Sequence, residues 1–278
     1  MICCDLHTHS RYSDGSDNPA ALIRMAEERG LGAIALTDHN TAAGLPEFME
    51  AGERSRVAAV PGCEFSTEFE RREVHIVGLF FPKEAWPEIN DYVDLLRVAK
   101  DNSNRRLIAA LRADGYDISY EEVAALTDSS VFNRAHVARV LCAKGVVNSV
   151  PEAFSALLDE SRGYYKPAKR LNPLTTISFI KMYGGKAVLA HPFLSLSYDG
   201  VRNFLPQAIE AGLDAIETHY SLFDAAATQQ AEALATEFGL LQSGGSDYHG
   251  KAKPDISLGS GRGNLAVPMS FFEALRRA

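Results

Sequence analysis

The chain has 278 residues, of which 46% are hydrophobic and 23% are charged, so it can bury a substantial core. Its net charge of -8 argues against a broad basic face for duplex nucleic acid, because phosphate backbones are held mainly by lysine and arginine. The four cysteines form no C-x-x-C pair, and neither a leader nor an 18-residue apolar run is visible, so we expect a soluble, cytoplasmic protein that does not interact with membranes.

Short apolar runs alternate with helical patterns at the start of the chain. The strand-like runs are MICCDLH, LGAIALTDHN, VAAVPGCEFS and EVHIVGLFF, and the helix-like ones are NPAALIRMAEERG and LPEFMEAGERS. Pro19 stands in the first turn of the first helix, and Gly30 stands at its end. This alternation predicts parallel strands with helices packed outside them.

The middle of the chain has a different character, because residues 85–174 predict helices throughout. Strand and helix patterns resume with GGKAVLAHP, GLDAIETHY, AAATQQAEALATEFG and LLQSGGSDYHG. We therefore predict an α/β barrel made from residues 1–84 and 175–278, interrupted by an all-helical insertion domain. The insert carries 12 Lys/Arg and 12 Asp/Glu, so the barrel, with 16 and 24, holds the entire acidic excess.

Histidines and carboxylates gather where the predicted strands end. His7 and His9 are two residues apart, a spacing at which side chains share one face of a strand, and Asp247 and His249 repeat it. The other candidates are Asp14, Asp38, His39, Glu64, His75 and His191. Because the carboxyl ends of parallel barrel strands meet at one rim, we expect these side chains to form a single cluster.

Imidazole and carboxylate ligands suit Zn²⁺, Mn²⁺ or Fe²⁺, whereas a closed structural zinc or an iron–sulfur centre would need a cysteine cluster. A lone histidine at a strand end is more often structural than a ligand, but a coincidence of so many is improbable. The candidate metal ligands are His7, His9, Asp14, His39, Glu64, His75, His191, Asp247 and His249. They exceed the needs of one tetrahedral ion, so we expect two or three divalent ions.

The motifs DLHTHSRYSDG, IALTDHNT, PGCEFS, VHIVG, VLAHP and GGSDYHG resemble, in order, the consecutive motifs of the PHP family of amidohydrolase-like metal hydrolases, named for polymerase and histidinol phosphatase domains. The resemblance implies a distorted (β/α)7 TIM-like barrel with two or three ions of manganese, iron or zinc. It assigns His7, His9 and Asp247 to a first ion, which Glu64 bridges to a second ion at His75 and His191. Asp14, His39 and His249 would hold a third ion. Asp38 would either orient a histidine or cap the end of its strand.

The predicted insert indicates which branch of the family the chain resembles. FNRAHVARVLCAKGVVNSVPEAFSALL and SRGYYKPAK resemble the helical insert of PHP phosphoesterases that act on small phosphorylated molecules. That branch includes enzymes that remove the 3′-phosphate of 3′,5′-nucleotide bisphosphates, short-RNA exonucleases and a hydrolase of ribose cyclic phosphates. Ala135 replaces the usual proline, and Lys166 stands where tyrosine followed by valine is more common, so the substrate stays open.

The same resemblance suggests substrate contacts. Arg134 and His136 are the predicted phosphate contacts of the insert. The planar fork of arginine matches phosphate oxygens, although Arg134 also fits a solvated residue at a helix start and a helix histidine often only packs. Three further basic residues of the insert are Lys166, Lys169 and Arg170. All three fit a solvated basic face, and Lys166 is the one expected to point inward. His219 ends another predicted strand and either contacts substrate or is structural.

These observations predict a metal-dependent phosphoesterase. A hydroxide shared by two ions would attack a phosphomonoester of a small nucleotide or sugar, with Glu64, Asp247 and Arg134 as catalytic residues. The alternatives are a cyclic phosphate phosphodiesterase, a 5′-3′ exonuclease on short RNA and, least favoured, a non-catalytic module. We expect a small phosphorylated substrate, no duplex nucleic acid, and a monomer or small homo-oligomer.

Overall fold

The computed structural model describes residues 2–126, 132–168 and 170–278. The chain divides into two compact units. The barrel unit comprises Met1–Val93 and Leu171–Ala278, and the insert unit comprises Asp94–Arg170. The insert predicted from residues 85–174 extends somewhat beyond these limits at both ends. None of the helices in the described residues combines the length and apolar character needed to cross a membrane.

The barrel unit is built on one sheet of eight strands in the described residues. The strands are β1 (Cys3–Asp5), β2 (Ala33–Leu36), β3 (Ala58–Phe69), β4 (Arg72–Leu79), β5 (Lys186–Leu189), β6 (Ala215–Tyr220), β7 (Leu241–Gly245) and β8 (Val267–Pro268). Their order is β7-β6-β5-β4-β3-β2-β1-β8. The segments that follow β1 and β7 pair in parallel, since Leu6 N donates to Gly244 O and Asp247 N donates to His7 O. The sheet is therefore nearly closed, and the predicted α/β barrel is confirmed.

Strand β4 departs from the parallel arrangement that the sequence pattern predicts. It runs antiparallel to both β3 and β5, and β8 runs antiparallel to β1. The turn from β3 to β4 contains Glu70 and Arg71, both with positive φ. Because β4 runs in the opposite direction, the beginning of this strand lies at the rim where the parallel strands end, and His75 near that beginning joins the rim.

Helices surround the sheet and build the insert. They are α1 (Pro19–Glu28), α2 (Leu45–Gly52), α3 (Trp86–Ala113), α4 (Tyr120–Ala124), α5 (Arg134–Ala143), α6 (Val150–Ala153), α7 (Pro173–Met182), α8 (Tyr198–Glu210), α9 (Ala225–Phe238) and α10 (Met269–Arg277). Helix α1 begins with Pro19, as predicted, because proline fits the first helical position, where no backbone N–H is needed. Gly30 follows the helix with a φ of +71°, a conformation that glycine adopts without strain.

The sheet buries both of its faces. Ile34 and Leu36 belong to the apolar cluster shared with the surrounding helices, whereas Ala33 and Ala35 belong to the cluster that fills the barrel and packs on α10. Alternate residues of a strand point to opposite faces, so the small alanines face inward, where little room exists. The same alternation turns Cys63 towards the helices and leaves its neighbour Glu64 to face the interior.

The insert unit has an apolar core of its own. Leu107 and Leu111 of α3 pack with Val137 and Leu141 of α5 and with other buried residues of the unit. Two helices begin with reciprocal side-chain caps, at Ser119 for α4 and at the asparagine before α5. The helical character predicted for this segment is thus accompanied by separate hydrophobic packing.

Candidate metal centre

Glu64 of β3 lies at the centre of the polar cluster. Its carboxylate is fully buried, and five imidazoles approach it at 2.7–3.1 Å. These belong to His7, His9, His39, His75 and His191. Oε2 faces the first three rings, and Oε1 faces the last two. One carboxylate therefore connects two sets of histidines through different oxygens.

The structure brings the predicted ligands together in three groups, within each of which the ligand atoms lie within 4.8 Å of one another. The groups are His7, His9, Glu64 and Asp247; His39, Glu64 and His75; and His9, Asp14, His39 and His249. The remaining predicted ligand, His191, lies 2.9 Å from Glu64 Oε1 through its Nε2. Residues from distant strands are thus assembled at one rim.

Two histidines take part in two groups each. His9 turns Nε2 towards Glu64 and Nδ1 towards Asp14, and His39 does so with the nitrogens reversed. The family resemblance assigns each of these histidines to a single ion. A neutral imidazole has one lone pair on its ring nitrogens for ligation, so each ring serves one group at a time.

Five buried atoms of this cluster lack hydrogen-bond partners. They are His7 Nε2, His9 Nδ1, His9 Nε2, His39 Nδ1 and Glu64 Oε2. Polar atoms inside proteins are normally hydrogen-bonded, and leaving one unsatisfied costs about 1–3 kcal/mol. Imidazole nitrogens and a carboxylate oxygen that converge without partners are the donor set that a transition-metal ion requires. The residues present therefore fit divalent ions.

The carboxylates and imidazoles of this cluster shift one another's pKa values. Burial opposes ionisation of Glu64, but the positive charges of His39, His7 and His75 and a hydrogen bond with His191 hold its pKa well below the ordinary value. Burial also disfavours ionised Asp247, yet the approach of His9 Nε2 to its Oδ1 at 3.2 Å and the positive charge of His7 lower its pKa as well. Both carboxylates therefore stay ionised and available as ligands.

The pKa values of the histidines are shifted in opposite directions by this environment. Burial lowers the pKa of His39 to about 4. Burial acts in the same direction on His75, but the charge and hydrogen bond of Glu64, with those of Glu73, raise its pKa to about 10. The pKa of His7 is likewise raised above its ordinary value against the effect of burial, by Glu64 and Glu217. Protons on His7 and His75 thus neutralise the carboxylates in the absence of ions, whereas His39 stays neutral near pH 7.

A further buried carboxylate, Asp38, holds a loop that carries part of the cluster. Asp38 accepts hydrogen bonds from Ser10 N, Ser10 Oγ and Ser13 Oγ, at 2.6–2.7 Å, and so fixes the segment between His9 and Asp14. The role in orienting a histidine predicted for Asp38 stays a prediction, and these contacts fit the alternative of a cap at the strand end. The carboxylate lies under the loop, and serine donors of the loop take up its oxygens.

Some residues of the barrel unit that contact the predicted ligands were missed by sequence reasoning, among them Glu217, Tyr220 and Lys253. Glu217 accepts from His7 Nδ1 at 3.2 Å. Tyr220 Oη and Lys253 Nζ both donate to Asp247 Oδ2, at 2.8 and 2.7 Å, and so leave Oδ1 to face the histidines. An acid inside the apolar strand AIETHY was a usable signal for Glu217. The contact of Tyr220 depends on the bulge in β6, and that of Lys253 depends on loop geometry.

His219 packs against two helices of the barrel unit. A bulge between Glu217 and His219 interrupts the alternation of β6. The His219 ring packs edge-on against Phe271 of α10, and its Nε2 lies 4.0 Å from Glu232 of α9. These contacts fit the structural alternative for His219, and its contact with substrate stays a prediction.

The insert candidates make defined contacts inside their own unit. Arg134 donates to Leu158 O at 3.0 Å, and its guanidinium lies 4.1 Å from the centre of the Tyr165 ring. His136 accepts from the backbone N–H of Asn133 as part of the cap of α5. Lys166 is exposed, and its carbonyl accepts from Ser103. Lys169 lies outside the described residues, and the phosphate contacts of Arg134, His136 and Lys166 stay predictions.

Comparison with known proteins identifies relatives along most of the chain. A family model described as the PHP domain matches residues 5–172. The 5′-3′ exoribonuclease Rnm of Escherichia coli is 33% identical over 93% of this chain and 88% of its own length. A phosphoribosyl 1,2-cyclic phosphate 1,2-diphosphodiesterase of Eggerthella lenta is 33% identical over 89% and 94%, respectively. A 3′,5′-nucleoside bisphosphate phosphatase of Chromobacterium violaceum is 30% identical over 90% and 88%.

A solved structure agrees with these matches. An amidohydrolase from Chromobacterium violaceum, determined with bound sulfate and no metal, superposes with a TM-score of 0.68 at 29% identity. The match covers 89% of this chain and 88% of that protein. This chain is therefore similar to these relatives in amino-acid sequence and to this solved structure in fold, over most of its length.

We expect opposite pH dependences for the metal-free and metal-loaded protein. A raised histidine pKa stabilises the folded state below the ordinary value of 6.5, and this contribution is lost as the pH rises through the folded value, about 10 for His75. Metal-free protein should therefore lose thermal stability over that range. Metal binding requires neutral imidazole, so loaded protein should gain stability as the pH rises from about 6 to about 8.

The measurement is thermal unfolding across this pH range, with chelator or with manganese. Calorimetry of manganese binding in buffers of different ionisation enthalpy should also detect released protons. A metal-free protein whose midpoint rises steadily with pH, or metal binding without proton release, would contradict the protonated state of these histidines.

Proposed function

The chain belongs to the PHP domain family and is a metal-dependent phosphoesterase, and on this premise we propose that it removes a phosphate group from a small phosphorylated nucleotide, such as a nucleoside 3′,5′-bisphosphate. The observation that carries the proposal is the buried Glu64 carboxylate among five histidines. That arrangement supports phosphate-ester hydrolysis without a serine or cysteine nucleophile. The named activity of the Chromobacterium violaceum relative supports the choice of substrate class.

We further propose two or three divalent ions of manganese, iron or zinc. His7, His9, Asp247 and Glu64 Oε2 would hold the first, and His75, His191 and Glu64 Oε1 the second. The division of the two carboxylate oxygens between the two sets of rings supports this bridging role. Asp14, His39 and His249 would hold the third, and the 3.1 Å approach of His249 Nε2 to Asp14 supports this group.

Glu64, Asp247 and Lys253 have different roles in the proposed hydrolysis. Bound divalent ions supply Lewis acidity and lower the pKa of water. Glu64 stays ionised in its buried position and holds two ligand sets at a fixed separation. Asp247 presents Oδ1 to the histidines, because Tyr220 and Lys253 occupy Oδ2. The ammonium group of Lys253 also adds positive charge at the rim of an acidic protein, which favours an anionic substrate.

A second candidate function is 5′-3′ exonucleolytic cleavage of short RNA. Its support is the exoribonuclease from Escherichia coli, whose identity and coverage equal or exceed those of the phosphatase relative. The same ester chemistry serves both functions. The two differ in whether the substrate ester joins phosphate to one nucleoside or to two, and the cyclic phosphodiesterase relative represents a further diester case.

The number of ions tests the proposed ligand sets. We expect Glu64→Gln to lose about two ions per chain, because an amide offers one acceptor oxygen where two ligand sets need a carboxylate. Asp14→Asn should lose about one, since Asp14 is assigned as a ligand to the third set alone. Elemental analysis after reconstitution with manganese measures both. Equal losses in the two variants would contradict the bridging role of Glu64.

The substrate class is tested by release of inorganic phosphate from a panel of mono-, bis- and cyclic phosphates and short 5′-phosphorylated RNA, with manganese present. We expect the highest kcat/KM for a nucleoside 3′,5′-bisphosphate and loss of all activity in Glu64→Gln. Mononucleotide products from RNA at a higher kcat/KM would favour the exonuclease instead. A fully metallated wild-type protein that hydrolyses no member of the panel would contradict the proposed function.

Arg134 tests the predicted phosphate contact of the insert. Loss of a charge-assisted hydrogen bond costs about 1.5–3 kcal/mol, so Arg134→Ala should raise KM ~10- to 100-fold with unchanged metal content. Arg134→Lys should recover part of the loss, because lysine keeps the charge but lacks the planar fork. Arg139→Ala on the exposed side of the same helix is the matched control. Unchanged KM in Arg134→Ala would remove Arg134 from the substrate site.

A further inference from the structure

Glu217 of β6 is a buried carboxylate that belongs to none of the predicted ligand sets. Its side chain is 2% exposed. Oε1 lies 3.2 Å from His7 Nδ1, and Oε2 accepts the backbone N–H of His191 at 2.6 Å. The two oxygens therefore contact two histidines that belong to different proposed ion sites.

The contact with His7 determines which ring nitrogen carries the proton. Because Glu217 is an acceptor, Nδ1 of His7 must be the protonated nitrogen. In the neutral ring that metal binding requires, the lone pair of Nε2 is then on the side of Glu64 Oε2, 3.0 Å away, and of Asp247. A carboxylate on the far side of a ligating imidazole fixes its tautomer and orientation and raises its basicity.

The contact with His191 stabilises a strained backbone. His191 has φ of 25° and ψ of 58°, in the left-handed region that non-glycine residues rarely adopt, and Pro192 follows it. Such a conformation costs roughly 1–3 kcal/mol and persists only where the surroundings enforce it. The short hydrogen bond to Glu217 holds the backbone in the conformation that directs His191 Nε2 at Glu64 Oε1, 2.9 Å away.

We propose that Glu217 is a positioning residue that couples the first and second ion sites of the proposed metal centre. One of its oxygens orients a ligand of the first site, and the other holds the backbone of a ligand of the second site. Both partners of Glu217 are donors, so only a carboxylate satisfies both. An amide at this position would set its NH₂ group against one of the two donors. This inference rests on the proposed ligand sets.

The test is manganese binding to Glu217→Gln, followed by calorimetry and by elemental analysis of the reconstituted protein. We expect the first and second sites to weaken together, ~10- to 100-fold, as is common when a carboxylate behind a ligating histidine is removed. The third site, at Asp14 and His249, should keep its affinity. Glu237→Gln, which removes an exposed carboxylate paired with Arg202, is the matched control and should bind as the wild type does.

Weakening of one site alone, or of neither, would overturn the coupling role. Circular dichroism in chelator checks that the variant folds. If Glu217→Gln does not fold, Glu217→Asp retains two acceptor oxygens on a shorter side chain and should weaken both sites to a smaller extent. A second measurement is the ¹⁵N chemical shifts of zinc-loaded wild-type protein, which report the nitrogen of His7 that carries the proton. We expect the proton on Nδ1, and a proton on Nε2 would also overturn the proposal. A wild type that binds all its ions but releases no phosphate would contradict the proposed function and leave this result unaffected.

Discussion

The approach of five imidazoles to the buried carboxylate of Glu64 is the constraint on which the rest of the site depends. A buried charge is costly unless it is paired, and a single carboxylate cannot satisfy five rings. Two states resolve the conflict: protons on several histidines, or cations between the rings and the carboxylate. The raised pKa of His75 and the lowered pKa of Glu64 express the first state. The convergence of unpartnered ring nitrogens favours the second.

The fold places this polar cluster at the end of the barrel and keeps the apolar packing elsewhere. Alternating residues such as Ile34 and Ala35 supply an outer layer against the helices and an inner filling of small side chains. The antiparallel return of β4 adds a ligand from the beginning of a strand to a rim otherwise formed by strand ends. A regular parallel strand at this position would carry His75 to the opposite end of the barrel.

Much of the site could be predicted from the sequence because its residues follow the strand ends in short motifs. The pairs at His7 and Asp247 reveal a shared face by their spacing alone. Contacts that depend on irregular backbone could not be predicted: the bulge in β6 turns His219 towards α10 and brings Tyr220 to Asp247. The alternation of short apolar runs likewise could not show that β4 runs antiparallel, because a buried strand reads the same in either direction.

Two predicted ligands show how the surrounding residues compensate for strain. His191 and Asp247 both have positive φ, at 25° and 55°, although neither is glycine. Each receives support from a residue outside the ligand sets: Glu217 holds the N–H of His191, and Tyr220 and Lys253 hold the side chain of Asp247. A protein selected only for stability would replace such residues, since strain and buried charge both reduce the free energy of unfolding. Their retention in a supported geometry is expected where ligand direction matters more than stability.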